Sequence, residues 1–142
     1  MYNDALHLNG WLKYDWDGIP SLDDRPDGYS HGHSIIDSIR DYAYNHGMTG
    51  EKHTGLGGHM SMIRNCNLRV YFTEKKCSLE EAMQRFDALL YGGDLITETS
   101  YVGYSEYTIT GMDLDEFTIG GHDLTYEFDS HMGQYVHLIL EC

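Results

Sequence analysis

Ser78-Leu79-Glu80-Glu81-Ala82-Met83-Gln84-Arg85-Phe86-Asp87-Ala88-Leu89-Leu90-Tyr91 is the stretch from which the rest of the chain can be placed. Ser78 and Glu81 stand in capping-box positions: the serine hydroxyl can accept from the Glu81 amide while Glu81 reaches back to the amide of Ser78. Leu79, Ala82, Met83, Phe86, Leu89 and Leu90 then recur at the spacing of one helical face. The pattern predicts a helix over 79–91, ended by Gly92, which tolerates the left-handed conformation a helix stop requires. Within it Phe86 reads as core, so Phe86→Ala would cost about 3–5 kcal/mol.

Outward from that helix the periodicity changes to two. Residues 59–65 and 67–73 read as strands, the second alternating Leu68, Val70 and Phe72 with Arg69, Tyr71 and Thr73. Residues 94–101 and 104–111, rich in Thr, Tyr and Ile, read as a pair of strands around Gly103, with a short extended piece at 117–119. Asp123 is placed to cap a short helix carrying Leu124, Phe128 and Met132. The run Tyr135-Val136-His137-Leu138-Ile139-Leu140 is apolar on both faces, which predicts a central strand at 134–141. From residue 66 to residue 142 the order is β-α-β-β-α-β, so an α+β chain of ferredoxin-like arrangement is the expectation.

The N-terminal part differs in texture. Gly18, Pro20, Asp23-Asp24, Pro26 and Asp27-Gly28 mark successive turns. A helix is predicted at 34–46, with Ser34 as N-cap and Ile35, Ile36, Ile39, Tyr42 and Ala43 on one face. A glycine-rich link then runs to Gly58. The expectation is one domain over 1–142: an irregular part with one helix over 1–58, packed on a sheet-and-helix core over 59–142.

Charge narrows the function. Nine Lys and Arg stand against 23 Asp and Glu, a net charge of −14. After Arg85 there are 11 acidic residues and no Lys or Arg. Such a field repels nucleic acid and anionic membranes and attracts basic surfaces. Direct nucleic-acid binding leaves a basic stripe, and none is visible. No apolar run reaches bilayer length, and the first residues lack the charged and apolar regions of a signal peptide. The three cysteines form no CxxC pair and read as reduced thiols, so a cytoplasmic address is expected.

Two readings of function follow. In the first, the uncompensated carboxylates form a recognition face centred on Glu98, Glu106, Asp113, Asp115 and Glu116. Carboxylates can stand where phosphates would lie and pair with Arg and Lys of a nucleic-acid-binding groove on another protein. Small phage-borne inhibitors of host nucleases behave in this way, and on this reading the chain is an anti-defence inhibitor, not an enzyme. The bland account is that acidity only maintains solubility, but solvated surfaces usually mix both signs.

In the second reading His31, His33, His53, His59 and Arg64, in the glycine-rich part of the chain, hold a nucleotide-like or metal-bound ligand, and the chain is a binding protein or metal-dependent enzyme. A pocket between subunits of a homo-oligomer would suit so short a chain. His31-Gly32-His33 can put two imidazoles on one side of a strand, but no HExxH or paired-cysteine spacing supplies further ligands. Solvated turn histidines account for the pattern, and neither metal nor cofactor is expected. Gly55-Leu56-Gly57-Gly58 lacks the Lys-Ser/Thr that follows a phosphate-cradling loop.

Overall fold

The computed structural model describes residues 5–15, 18–28, 34–46, 52–53, 59–104 and 109–142. In chain order the elements are β1 (Leu6–Tyr14), β2 (Pro20–Asp23), α1 (Ile35–Asn45), β3 (Lys52–His53), β4 (His59–Thr73) and α2 (Leu79–Arg85). They continue with β5 (Leu89–Tyr104), β6 (Ile109–Ile119), β7 (His122–Asp123), α3 (Leu124–Asp129) and β8 (Tyr135–Glu141). The strands form one curled, antiparallel sheet in the order β2-β1-β8-β4-β5-β6-β7, and β3 pairs with the start of β4.

β8 sits where its two-faced apolar sequence puts it, between β1 and β4, with Tyr135 to Leu140 all buried. On one side Val136, Leu138 and Leu140 meet the main core, which α1 and α3 close with Ile35, Ile36, Ile39, Leu124 and Phe128. On the other side Ile139 and Tyr71 lie under Ala82 of α2. Both longer helix starts follow their capping residues. The Ser34 and Ser78 hydroxyls accept from the amides of Asp37 and Glu81, and Asp123 accepts from those of Thr125 and Tyr126.

The chain is α+β, but the sheet is not connected in the ferredoxin-like manner. That plan needs parallel strands joined through a helical crossover. Here β4 and β5 flank α2 and are antiparallel nearest neighbours. Seven helical residues carry the chain back only about 10 Å, while a 15-residue strand is about 50 Å long. β5 therefore begins at the end where β4 stopped. β4, β5 and β6 make a meander and β8 returns beside β4, the four-strand order of a Greek key.

α2 also ends earlier than its stripe suggests. Phe86 is already extended at φ −129° and ψ 150°, and Leu89 and Leu90 pair with Val70 and Arg69 in the sheet. Phe86 is 43% exposed and Met83 51%, so neither is a core residue. Ladder pairing with β4 takes over the last part of the apolar run, and Gly92 lies within β5 rather than at a helix end. Before α1 the chain holds a longer strand than the one or two short ones its turn-rich composition suggests: β1 is a nine-residue strand integral to the sheet.

Two further features shape the sheet. β4 is bulged between Ile63 and Cys66, where Asn65 adopts φ +58° and its amide is taken by the Asp94 carboxylate at 3.1 Å. β5 meets the β6–β7 turn at Gly93 and Gly120, where a Cβ on Gly120 would lie 2.3 Å from the Gly92 carbonyl oxygen. At the other flank Lys13 and Asp23 form a buried ion pair at 2.7 Å. Lys13 also donates to the Asp27 carbonyl. The ammonium, helped by the Asp24 amide, holds the Asp23 carboxyl well below the usual carboxylate range.

Candidate functional site

The long β5–β6 hairpin carries most of the predicted acidic set. Its register places Glu98 directly opposite Glu116, and the next step pairs Thr99 with Leu114, so Asp115 is the extra residue of a bulge in β6. Asp113 pairs with Ser100. Glu106 lies outside the described residues. The alternation along β5 explains the arrangement: Leu95, Thr97 and Thr99 are buried, which turns Ile96 and Glu98 to the opposite face, where both are half-buried. Across from them Phe117 and Ile119 enter the core, and the Thr118 hydroxyl donates to the Glu116 carboxylate at 2.9 Å.

Two carboxylates at one ladder position repel, and sheets normally place opposite charges or neutral partners there. The same row continues through Met60 of β4 to Lys52 of β3. Lys52 stands two strands from Glu98, about 10 Å away. Among the described residues β6 has a strand partner on its outer side only at Thr118 and Ile119. The hairpin thus offers an acidic pair beside a largely open strand edge.

The histidine set comes together only in part. His31 and His33 lie outside the described residues. His53 and His59 are direct register partners in β3 and β4, and His59 is paired on its other side with Thr99. Arg64 is exposed at the bulge of β4, five residues along the strand from His59 and therefore about 16 Å away. It does not join the two histidines. Among the described residues no three His, Cys, Asp or Glu side chains converge as metal ligands would.

The structure also reveals a histidine pair that the sequence did not single out. His7 of β1 and His137 of β8 stack with ring centroids 5.3 Å apart, and His7 Nε2 lies 3.1 Å from His137 Nδ1. His137 Nε2 lies 2.7 Å from the carbonyl oxygen of Cys77. A carbonyl only accepts, so His137 Nε2 carries the proton and its Nδ1 accepts from His7 Nε2–H. Loss of hydration around the His7 ring, with the His137 ring beside it, lowers the His7 pKa. Both nitrogens of His137 are thereby engaged, and it is not a free base for the Cys77 thiol. The signal was long-range: residues 130 apart in sequence are brought together by the β1–β8 register.

Beside Cys77 an open cleft of about 410 Å³ runs between the start of α2 and the segment before β8, lined by Thr73, Lys75, Glu81, Arg85 and Phe86 among others. Its charged side chains, Glu74, Lys75, Glu81 and Arg85, alternate in sign and are exposed. The β5–β6 hairpin remains the more distinctive surface. Comparison with protein-family models, curated proteins and solved structures found no match.

Proposed function

We propose that the chain is a small acidic interaction protein that binds and inhibits a basic, nucleic-acid-binding partner, such as a nuclease, through the β5–β6 hairpin. The observation that carries this reading is the direct opposition of Glu98 and Glu116. A like-charged pair at one ladder position costs stability, and neither β5 nor β6 carries a Lys or Arg. A cationic groove would relieve it on binding. Asp113 and Asp115 lie on the same hairpin, and Glu106 falls in the sequence between its strands. The partner's Arg and Lys would pair with these carboxylates as they pair with phosphates. This is the behaviour of phage-type anti-defence inhibitors.

The test is capture of basic proteins from a cell lysate at low ionic strength, followed by challenge with duplex DNA and with salt. The expected result is a partner that DNA displaces and that is lost as salt shortens the reach of exposed charges to about 8–10 Å. The joint variant Glu98→Gln, Glu106→Gln, Asp113→Asn, Asp115→Asn and Glu116→Gln should capture nothing while remaining folded. Capture that survives this neutralisation would count against the reading.

A second reading is favoured by the pairing of His53 with His59: a nucleotide or metal ligand held at the β3–β4 end of the sheet. Elemental analysis and the ultraviolet spectrum of the purified protein test it, and neither stoichiometric metal nor nucleotide absorbance is expected if the first reading holds.

A further inference from the structure

Cys66 and Cys142 are 76 residues apart in sequence, yet their sulfurs lie 2.8 Å apart. The sheet explains the meeting. β4 and β8 pair Leu68 with Leu140 and Asn67 with Glu141, and one more step brings Cys66 opposite Cys142. Directly opposed residues of antiparallel strands have Cα atoms about 4.5 or 5.5 Å apart, within the roughly 4.4–6.8 Å that a disulfide spans. The sulfurs have only to close to a bond of about 2.05 Å. We infer that this pair is a disulfide-forming site that bolts the end of β8 to the bulged segment of β4.

The two thiols are unequal in a way that orders the chemistry. Cys66 is 1% exposed, while Cys142 is half-buried and reachable from solvent. Either sulfur can donate to the other; when the Cys66 thiol donates, the hydrogen bond favours the Cys142 thiolate and, together with burial, pushes the Cys66 thiol up. With a low-molecular-weight disulfide such as glutathione disulfide as oxidant, the Cys142 thiolate attacks one sulfur, forming a mixed disulfide and expelling one thiolate. Cys66 then gives up its proton to that thiolate and attacks the Cys142 sulfur, expelling the second. Two protein thiols lose two electrons and two protons, and the glutathione disulfide becomes two glutathione thiols.

Cys77 provides an internal control. It is also partly exposed, but it lies beside Thr73 at the end of β4, and Thr73 is seven residues and about 20 Å along the strand from Cys66. The three cysteines should therefore partition into one bonded pair and one free thiol.

The experiment equilibrates the full chain with glutathione disulfide and glutathione, blocks remaining thiols with iodoacetamide, and maps peptides by mass spectrometry without reduction. A Cys66–Cys142 linked peptide, an intact mass lower by about 2 Da before blocking, and an alkylated Cys77 are expected. The melting temperature should rise on oxidation in the wild type and in Cys77→Ser, and stay unchanged in Cys142→Ser. Alkylation of both Cys66 and Cys142 after oxidation, a linkage through Cys77, or a glutathione adduct that persists on Cys142 would each overturn the inference. The peptide map needs no variant, so misfolding of a substituted protein cannot obscure the answer.

Discussion

β8 and the β5–β6 hairpin belong to one sheet but are built under opposite constraints. β8 is covered on both faces, and each of its residues from Tyr135 to Leu140 is buried. In the hairpin one face is closed by Leu95, Thr97, Phe117 and Ile119, while the other sets Glu98 against Glu116. β8 thus gives six consecutive side chains to the packed interior. The hairpin keeps a charge arrangement that works against its own stability, and on the proposed function a cationic partner would offset it.

The largest effects should come from the closed side. Phe117 is 1% exposed and stacks on Phe128 with centroids 5.6 Å apart, so Phe117→Ala should lower the unfolding free energy by about 3–5 kcal/mol in urea melts. A loss well under 2 kcal/mol would mean that the hairpin's inner face is not part of the core.

The buried ion pair at the opposite flank comes next. Lys13→Met leaves Asp23 buried without its ammonium, and breaking such a pair costs about 3 kcal/mol or somewhat more. The pH dependence has a definite sign. Asp23 is depressed in the folded state, so the pair contributes fully above the ordinary aspartate value of about 3.9. Its contribution is lost as pH falls from there toward the folded pKa. The gap between wild type and Lys13→Met should therefore narrow on the acid side.

Phe86 sharpens the contrast from a third direction. Because it stands 43% exposed beyond the end of α2, Phe86→Ala should cost no more than about 1 kcal/mol, against the 3–5 expected of a core phenylalanine. A larger loss would restore the long helix.

These cases also show what the sequence could and could not tell. Local signals were readable: the serine and aspartate caps of all three helices, the two-faced apolar run of β8, and the extended character of β4, although its second face is covered at Tyr71 and Thr73 rather than exposed. Boundaries failed where a neighbouring strand competed for the chain, as at Leu89 and Leu90, whose helical spacing is equally compatible with ladder pairing to β4. Topology failed because α2 is too short to make a crossover, which the apolar stripe concealed. The acidic set was readable as composition, but the confrontation of Glu98 with Glu116 depends on the register and its bulge. The His7–His137 and Cys66–Cys142 meetings depend on pairings across 130 and 76 residues and leave no local trace.

The smallest expected change in stability is the most informative one for function. An open, charged strand edge also discourages edge-to-edge aggregation, so acidity alone does not separate recognition from protection. The double substitution Glu98→Gln and Glu116→Gln removes the repulsion while preserving shape. Melting and partner capture measured on the same preparation separate the two roles. If the pair is kept for recognition, the variant should be more stable by a few tenths of a kcal/mol to about 1 kcal/mol, stay monodisperse, and lose most of its capture of a basic partner at low salt. Unchanged capture, with the variant instead beginning to self-associate, would contradict the account and leave the carboxylates as guards of the sheet edge.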